Sequence, residues 1–308
     1  MSISVIDPLN PAIDRTRKIL FQPFDLGKWI TLGFCAWLAN LGEGGGNFNI
    51  NFGGDNRHGG QPGGRGLDPV MDWIGAHLAL VLVCAIVIIL VGLIIGLLLV
   101  WLSSRGRFMF LDGVVHNRGA VKAPWREFRS EGNSLFLFRV CLGLASFGLC
   151  LLILVVAVAV AWRDIQAEEF GFPAVAALAG GILAFLLVVI VVGCVSLFLK
   201  DFVVPIMYLR RIGVMEAWRV FRRSMLDSHL GTFVVYILFK IVIVLVIGMI
   251  AVLFTCLTCC IALIPYVGTV ILLPLFVFVR AYSVYFIQQF GPEWQLITEE
   301  PIEPQVVG

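Results

Sequence analysis

Two basic residues belong to long apolar segments, where an ionised side chain could bind an anion. Lys240 directly precedes 39 uncharged residues, 241–279, and Arg139 directly precedes another 23, 140–162. A charged residue at the centre of a bilayer costs about 2.5–3.5 kcal/mol on insertion scales, so such residues often mark a functional site. The sequence therefore predicts a binding site for an anionic lipid or substrate at Lys240, with Arg139 as its companion.

Two alternatives for Lys240 stay open. If its helix begins near Phe233 instead of Leu230, the ammonium group can extend to the cytoplasmic headgroups. Otherwise, it can donate to backbone carbonyls and hydroxyls inside the bundle. The four long apolar runs, 78–102, 140–162, 172–199 and 241–279, contain no Asp or Glu. We therefore expect no acidic partner for Lys240 inside the membrane. Arg139 lies six residues past Asn133 and can itself extend to the headgroups.

A basic and aromatic phrase occurs twice, as WREFR at residues 125–129 and as WRVFR at residues 218–222. On a helix, the apolar members of each copy share one face, with Val121, Trp125 and Phe128 in the first and Val214, Trp218 and Phe221 in the second. The basic members point elsewhere, namely Arg126, Arg129, Arg219, Arg222 and Arg223. This pattern is typical of an amphipathic helix in the membrane interface, with its arginines near anionic lipids. Alternatively, the positive charges only set the topology.

The chain carries no HExxH, GxSxG or P-loop pattern. We therefore predict no catalytic residue, no metal site, no cofactor and no nucleic-acid partner. All eight cysteines lie in apolar segments, where they can pack as small hydrophobic side chains. Cys256, Cys259 and Cys260 fall at a predicted outer turn, so a disulfide or a metal site stays open there beside plain packing.

The elements that would position these residues follow from composition. Hydrophobic residues make up 60% of the chain and charged residues 14%, whereas soluble domains carry about 45–50% and about 25%. We predict an all-α fold, a polytopic transmembrane helix bundle in which residues 1–308 form one membrane domain of about six spans in three hairpins. A helix needs about 20 residues to cross a bilayer. Five predicted spans are 73–103, 134–162, 172–199, 230–255 and 264–287.

Residues 29–41 are predicted to supply the first span, although they comprise only 13 apolar residues. They cross if the helix extends back toward Pro23, and otherwise they form a half-inserted helix. Residues 1–28 are the predicted cytoplasmic amphipathic N-terminus. The following loop, 42–72, is glycine-rich and is predicted to be flexible and extracytoplasmic.

The distribution of Lys and Arg predicts the orientation. Seventeen of the 22 basic residues lie on one side of the predicted spans and three on the other, while Arg139 and Lys240 lie in apolar segments. We therefore place both termini in the cytoplasm, with 291–308 as a cytoplasmic tail, and we place the protein in the cell (cytoplasmic or inner) membrane.

Each basic phrase also begins a repeat of a short helix, a span, an outer loop and a return span. A weaker first copy begins at Asn10, so the chain reads as two repeats and a divergent third. Gly92-x-x-x-Gly96 is a motif for close helix approach, and we expect it to support packing within the bundle.

The stretches RTRKILFQPFDLGKWITLGFCAWLANLGEGG and RAYSVYFIQQFGPEW, with the two WRxFR phrases, resemble a broad group of uncharacterised prokaryotic six-helix membrane proteins. This group includes the membrane domain fused to some glycerophosphodiester phosphodiesterases. The resemblance covers most of the chain and implies an all-helical bundle with interfacial helices. No catalytic residue is carried over, because the phosphodiesterase barrel has no counterpart in this sequence.

These observations predict a multi-pass membrane protein without enzymatic activity, with a structural or partner-binding role in the cytoplasmic membrane. Its predicted partners are the lipid bilayer, anionic lipids at the cytoplasmic face and another membrane protein. The alternative is a transporter or channel for a lipid or small solute. Few polar residues are available to line a transport site in the apolar segments, which favours the first function.

Overall fold

The computed structural model describes residues 3–41, 77–166, 171–258 and 264–297. These residues contain no β-strand, and the predicted all-α class is confirmed. The helices are α1 (Leu9–Phe21), α2 (Leu26–Asn40), α3 (Leu78–His116), α4 (Lys122–Glu127), α5 (Arg129–Gln166), α6 (Phe172–Phe198), α7 (Val204–Arg210), α8 (Val214–Phe221), α9 (Leu230–Leu257), α10 (Pro265–Ile271) and α11 (Leu273–Gln288). A π-helical turn, Leu199–Val203, joins α6 to α7, and a second one, Arg222–Leu226, extends α8.

Within the described ranges, four helical segments are long and apolar enough to cross a membrane. They are Leu78–His116, Arg129–Trp162, Ala174–Arg210 and Leu230–Leu257. Their length and composition indicate a membrane protein. Because α2 has 15 residues and α11 has 16, the count of six spans stays a prediction.

Two helices continue beyond their predicted ends. The spans predicted to end at residues 103 and 199 continue to His116 and, through the π-turn, to Arg210. All residues from Ser103 to Val115 are buried inside the protein, including charged ones. Hydropathy marks only the apolar part of each helix, because it treats a polar residue as facing water. These helix ends were therefore missed.

The last predicted span, 264–287, is divided into α10 and α11 at Leu272. Pro274 lies in the first turn of α11, a position that proline tolerates because its missing N–H has no partner in the helix there. After α11, the predicted tail begins with a packed segment, in which Trp294 is buried. Residues 298–308 and the predicted loop 42–72 lie outside the described residues.

The short helices pack in a cyclic order. The chain before α1 binds to α11, where the hydroxyl of Tyr282 donates to the carbonyl oxygen of Val5 over 2.9 Å. The ring of Trp125 on α4 lies 5.7 Å from that of Trp101 on α3. Helix α8 packs against the π-turn before α7. The short helix at the start of each predicted hairpin therefore contacts the second helix of the hairpin before it, and α1 contacts α11 of the last hairpin.

Helix α2 runs antiparallel to the final third of α3. The hydroxyl of Ser103 donates to the carbonyl oxygen of Ala39 over 2.9 Å, and Gly119 lies beside Lys28. A Cβ atom on Gly106 would lie 2.7 Å from the α2 backbone, so glycine permits this close approach. Because α2 ends level with Ser103, the apolar residues 78–102 extend about 37 Å beyond it.

Candidate functional site

Lys240 has an acidic partner that hydropathy did not reveal. Its ammonium Nζ lies 3.0 Å from Oδ2 of Asp201, and both side chains are nearly sealed, with 6% and 4% exposure. Asp201 follows the uncharged run 172–199 by two residues, but the helix continues through the π-turn and carries Asp201 into the core. The expectation that Lys240 has no acidic partner is therefore wrong.

Hydroxyl groups complete this buried centre. Lys240 donates to Oγ of Ser283 over 2.8 Å, and the hydroxyl of Tyr236 donates to Asp201 over 3.0 Å. The ammonium group also lies 5.5 Å from the ring centroid of Tyr282. Burial rules out an ammonium group that extends to the headgroups, and the carboxylate neutralises its charge. We call Lys240, Asp201, Tyr236 and Ser283 the sealed centre.

Arg139, the predicted companion of Lys240, contacts other elements. Its Nη1 donates to the hydroxyls of Ser103 and Ser104 on α3 over 3.1 and 3.3 Å. Lys240 instead contacts the π-turn and α11. These contacts do not join the two cations into one anion site.

The apolar stripe of the second basic phrase faces the protein. Val214, Phe221 and Met225 are buried, and the ring of Phe221 stacks 5.1 Å from that of Phe202. Trp218 is half-buried. The arginines of this phrase, Arg219, Arg222 and Arg223, are exposed. Periodicity reveals an apolar face but not what covers it, and the expectation that this stripe lies in lipid is wrong for the buried residues.

The first basic phrase is only partly buried. Phe128 is buried and stacks on Tyr208 at 4.7 Å, whereas Trp125 is half-buried. The guanidinium carbon of Arg105 lies 4.3 Å from the ring centroid of Trp101 and 4.9 Å from that of Trp125. Arg126 and Arg129 are exposed. A cavity of about 480 Å³ lies beside Trp125, between α2, α3 and α4.

A second buried carboxylate, Asp112, was also missed. It forms a two-point ion pair with Arg118, over 3.0 and 3.1 Å, and accepts a hydrogen bond from the hydroxyl of Tyr208 over 2.8 Å. Nδ1 of His116 lies 3.0 Å from the same carboxylate. The hydrogen bond to Asp112 raises the pKa of Arg118 above its ordinary value. The four-residue spacing of Asp112 and His116 on one helix face is the signal that could have revealed this group.

This group is open on one side. A cavity of about 320 Å³ is lined by Asp112, His116, Arg118 and Tyr208, together with the neighbouring ion pair of Glu127 and Arg211. We call Asp112, His116, Arg118 and Tyr208 the open centre. Arg118 and His116 have side-chain exposures of 46% and 51%, so water reaches the polar groups here.

Metal ligands are sparse in the described part of the chain, where no three His, Cys, Asp or Glu side chains lie close enough to bind an ion. Cys256 is a free, exposed thiol. Cys259 and Cys260 lie outside the described residues, so a disulfide at this turn stays a prediction.

Residues 3–291 match a family of unknown function, DUF7544. This match covers most of the chain, which therefore belongs to that family. No curated protein and no solved structure matches the chain.

Proposed function

We propose that this member of DUF7544 is a non-enzymatic protein of the cytoplasmic membrane that binds another membrane protein laterally. The observation that carries the proposal is the apolar half of α3. No residue from Leu78 to Leu102 is buried, and apolar side chains are exposed around the whole circumference of the helix. This surface is available to lipid and to a second transmembrane helix.

Two glycines on this surface favour a helix partner. Apart from the backbone of α3 itself, no atom of the described residues lies within 4 Å of the place where a Cβ would stand on Gly92 or Gly96. In the described part of the chain, no other helix packs against these two glycines, so the expectation that they support packing within the bundle is wrong there. Small residues at this spacing let two helix backbones approach closely in a membrane.

Cross-linking of native membranes tests this association. In a chain without its eight natural cysteines, cysteine at 92 or 96 should cross-link to a partner. Cysteine at Ile94 or Leu98, on the opposite face, should do so less. The Gly92→Leu/Gly96→Leu variant should lose the partner while keeping the thermal stability of the wild type. Equal cross-linking on both faces would mean that α3 contacts only lipid and random neighbours.

We also propose six crossings, with both termini in the cytoplasm. Support comes from contacts among the segments that join the hairpins. Arg15 of α1 donates to the carbonyl oxygen of Val114 at the end of α3. Arg210, at the end of α7, forms an ion pair of 2.8 Å with Glu293 after α11. Each hairpin thus returns to the end of the molecule from which it started.

Helix length does not decide whether the first hairpin crosses the membrane twice, since α2 covers only the final third of α3. Topology reporters at residues 60, 167 and 260 should report the outside, and those at 120, 215 and 300 the cytoplasm. A cytoplasmic signal at residue 60 would show that residues 29–41 do not lead across the membrane.

Transport of a lipid or small solute is the second candidate function. The sealed centre favours it, because buried ionisable groups in membrane helices often mark transport pathways. If Lys240 lines a pathway, Lys240→Cys in the cysteine-free chain should react with a small charged thiol reagent. If the centre is purely structural, this cysteine should stay unreactive while a cysteine at the exposed residue Arg219 reacts.

A further inference from the structure

We propose that the cavity between α2, α3 and α4 binds one anionic phospholipid. Its acyl chain would occupy the apolar interior, and its phosphate would bind Lys122 and Arg126. This inference identifies a site for the anionic lipids expected at the cytoplasmic face, and it rests on the membrane location in the proposed function.

The cavity has the lining that an acyl chain requires. Phe34 and Trp37 of α2, Leu102 and Met109 of α3, and Trp125 of α4 contribute its apolar walls. Its volume of about 480 Å³ falls within the range of about 300–1,000 Å³ that is typical of small-molecule sites. Leu102 is the last residue of the apolar stretch 78–102, so the cavity lies where the apolar part of α3 ends.

Two cations stand at this apolar cavity without a counter-charge. Lys122 and Arg126 are four residues apart, so they project from one face of α4, and both are exposed. Among the described residues, neither has an ion-pair or hydrogen-bond partner. The nearby carboxylate of Glu127 is already paired with Arg211. The site therefore offers two positive charges to a ligand.

An amphipathic anion fits this combination of surfaces. A soluble anion would satisfy the cations but leave the apolar walls in contact with water, whereas an uncharged lipid would do the reverse. The half-buried Trp101–Trp125 pair beside the cavity favours the same depth, because tryptophan prefers the membrane interface.

The second basic phrase provides a matched control. There, the aromatic rings of Phe202, Phe221 and Phe233 fill the space behind the helix, with centroids 5.1 to 5.4 Å from one another. Arg219 and Arg223 are exposed as Lys122 and Arg126 are, but they stand over a filled core. Both phrases thus carry exposed positive charges, but the cavity lies behind the first phrase.

The test is lipid binding by the full chain in mild detergent, followed by native mass spectrometry with phosphatidylglycerol and with phosphatidylcholine. Wild type should retain one phosphatidylglycerol in preference to phosphatidylcholine. A cation near an anionic lipid surface contributes a factor of about five. Two such factors multiply, so Lys122→Gln/Arg126→Gln should weaken phosphatidylglycerol binding about 25-fold. Arg219→Gln/Arg223→Gln should change it less than about twofold.

A second variant tests the apolar part of the site. Met109→Trp places a larger side chain in the cavity and should reduce binding of both lipids, with an unchanged thermal transition as evidence of folding. If it unfolds the protein, Leu102→Trp replaces it. Displacement of the lipid by millimolar inorganic phosphate would overturn the proposal in favour of a simple anion site. Equal binding by wild type and the Lys122→Gln/Arg126→Gln variant would overturn it as well.

Binding in detergent does not depend on the partner or on the number of crossings. A failure of the cross-linking experiment on α3 therefore leaves the lipid result interpretable, and a loss of lipid binding leaves the partner hypothesis standing.

Discussion

The sealed centre and the open centre contain the same chemistry in different surroundings. Each has a buried aspartate that accepts a hydrogen bond from a tyrosine hydroxyl, over 3.0 Å for Asp201 and 2.8 Å for Asp112. Each aspartate also has a cation at 3.0 Å, Lys240 in one case and Arg118 in the other. However, Lys240 is enclosed by the helices around it, whereas Arg118 is nearly half exposed beside a cavity.

Solvent access decides what each ion pair contributes. A charge that loses its partner in a dry interior cannot be compensated, whereas water can replace a missing partner at an accessible site. The sealed centre should therefore couple the π-turn, α9 and α11 tightly. The open centre should tolerate substitution and can change its contacts when a ligand binds.

Removal of the buried ammonium should have the largest effect. Lys240→Met removes the ammonium group that contacts the buried Asp201 carboxylate, and breaking a buried ion pair in this way typically costs about 3–5 kcal/mol of stability. A titration with a denaturing detergent, or the loss of the thermal transition, would measure this cost. A variant at least as stable as the wild type would mean that Lys240 is a tolerated burden and that the sealed centre does not hold the helices together.

The matched control removes both charges of the sealed centre. In Lys240→Met/Asp201→Asn, the amide oxygen of the introduced asparagine can still accept the hydrogen bond from Tyr236. The double variant should recover stability to within about 1 kcal/mol of the wild type, because buried ion pairs are often replaceable by neutral groups. If the double variant instead loses as much stability as Lys240→Met and Asp201→Asn together, the two residues act independently.

The apolar helices could be predicted from sequence, while the buried polar contacts could not. The helix predicted over 230–255 is α9, Leu230–Leu257, and the one predicted over 172–199 begins with α6 at Phe172. Long uncharged runs have few alternatives to a membrane helix, so the presence of these helices, although not all of their ends, follows from composition. Asp201 lies outside the predicted spans, and no local pattern connects it to Lys240, which is far away in the sequence.

The sequence also did not determine whether the aromatic stripes face lipid or the protein core. The residues at positions 214, 221 and 225 have the periodicity of an amphipathic helix, and a lipid surface and a protein core satisfy it equally well. The difference between the two basic phrases depends on what packs behind each helix. Phe202 and Phe233, which fill that space behind α8, come from the π-turn and from α9.

A smaller effect is expected from neutralising the open centre. Asp112→Asn keeps an acceptor for the hydroxyl of Tyr208 and leaves Arg118 in contact with water. The loss should be about 1–2 kcal/mol, near the usual range for a hydrogen bond that involves a charged group. The same detergent titration that is used for Lys240→Met measures it. A loss as large as that of Lys240→Met would contradict the distinction between the two centres.

The smallest effect should come from Arg118→Gln. The side chain of Arg118 is 46% exposed, so the solvent screens its charge even though Asp112 is buried, and we expect this pair to contribute about 1 kcal/mol. Tyr208 and His116 remain as partners of Asp112 in this variant.

The stability difference between wild type and Arg118→Gln should shrink as salt is raised from about 0.1 to about 1 M, because the Debye length falls from about 10 to about 3 Å. The difference between wild type and Lys240→Met should not change over that range, since salt does not reach a buried pair. If both differences respond equally to salt, water reaches Lys240 as well, and the sealed centre is then open to the pathway that transport would require.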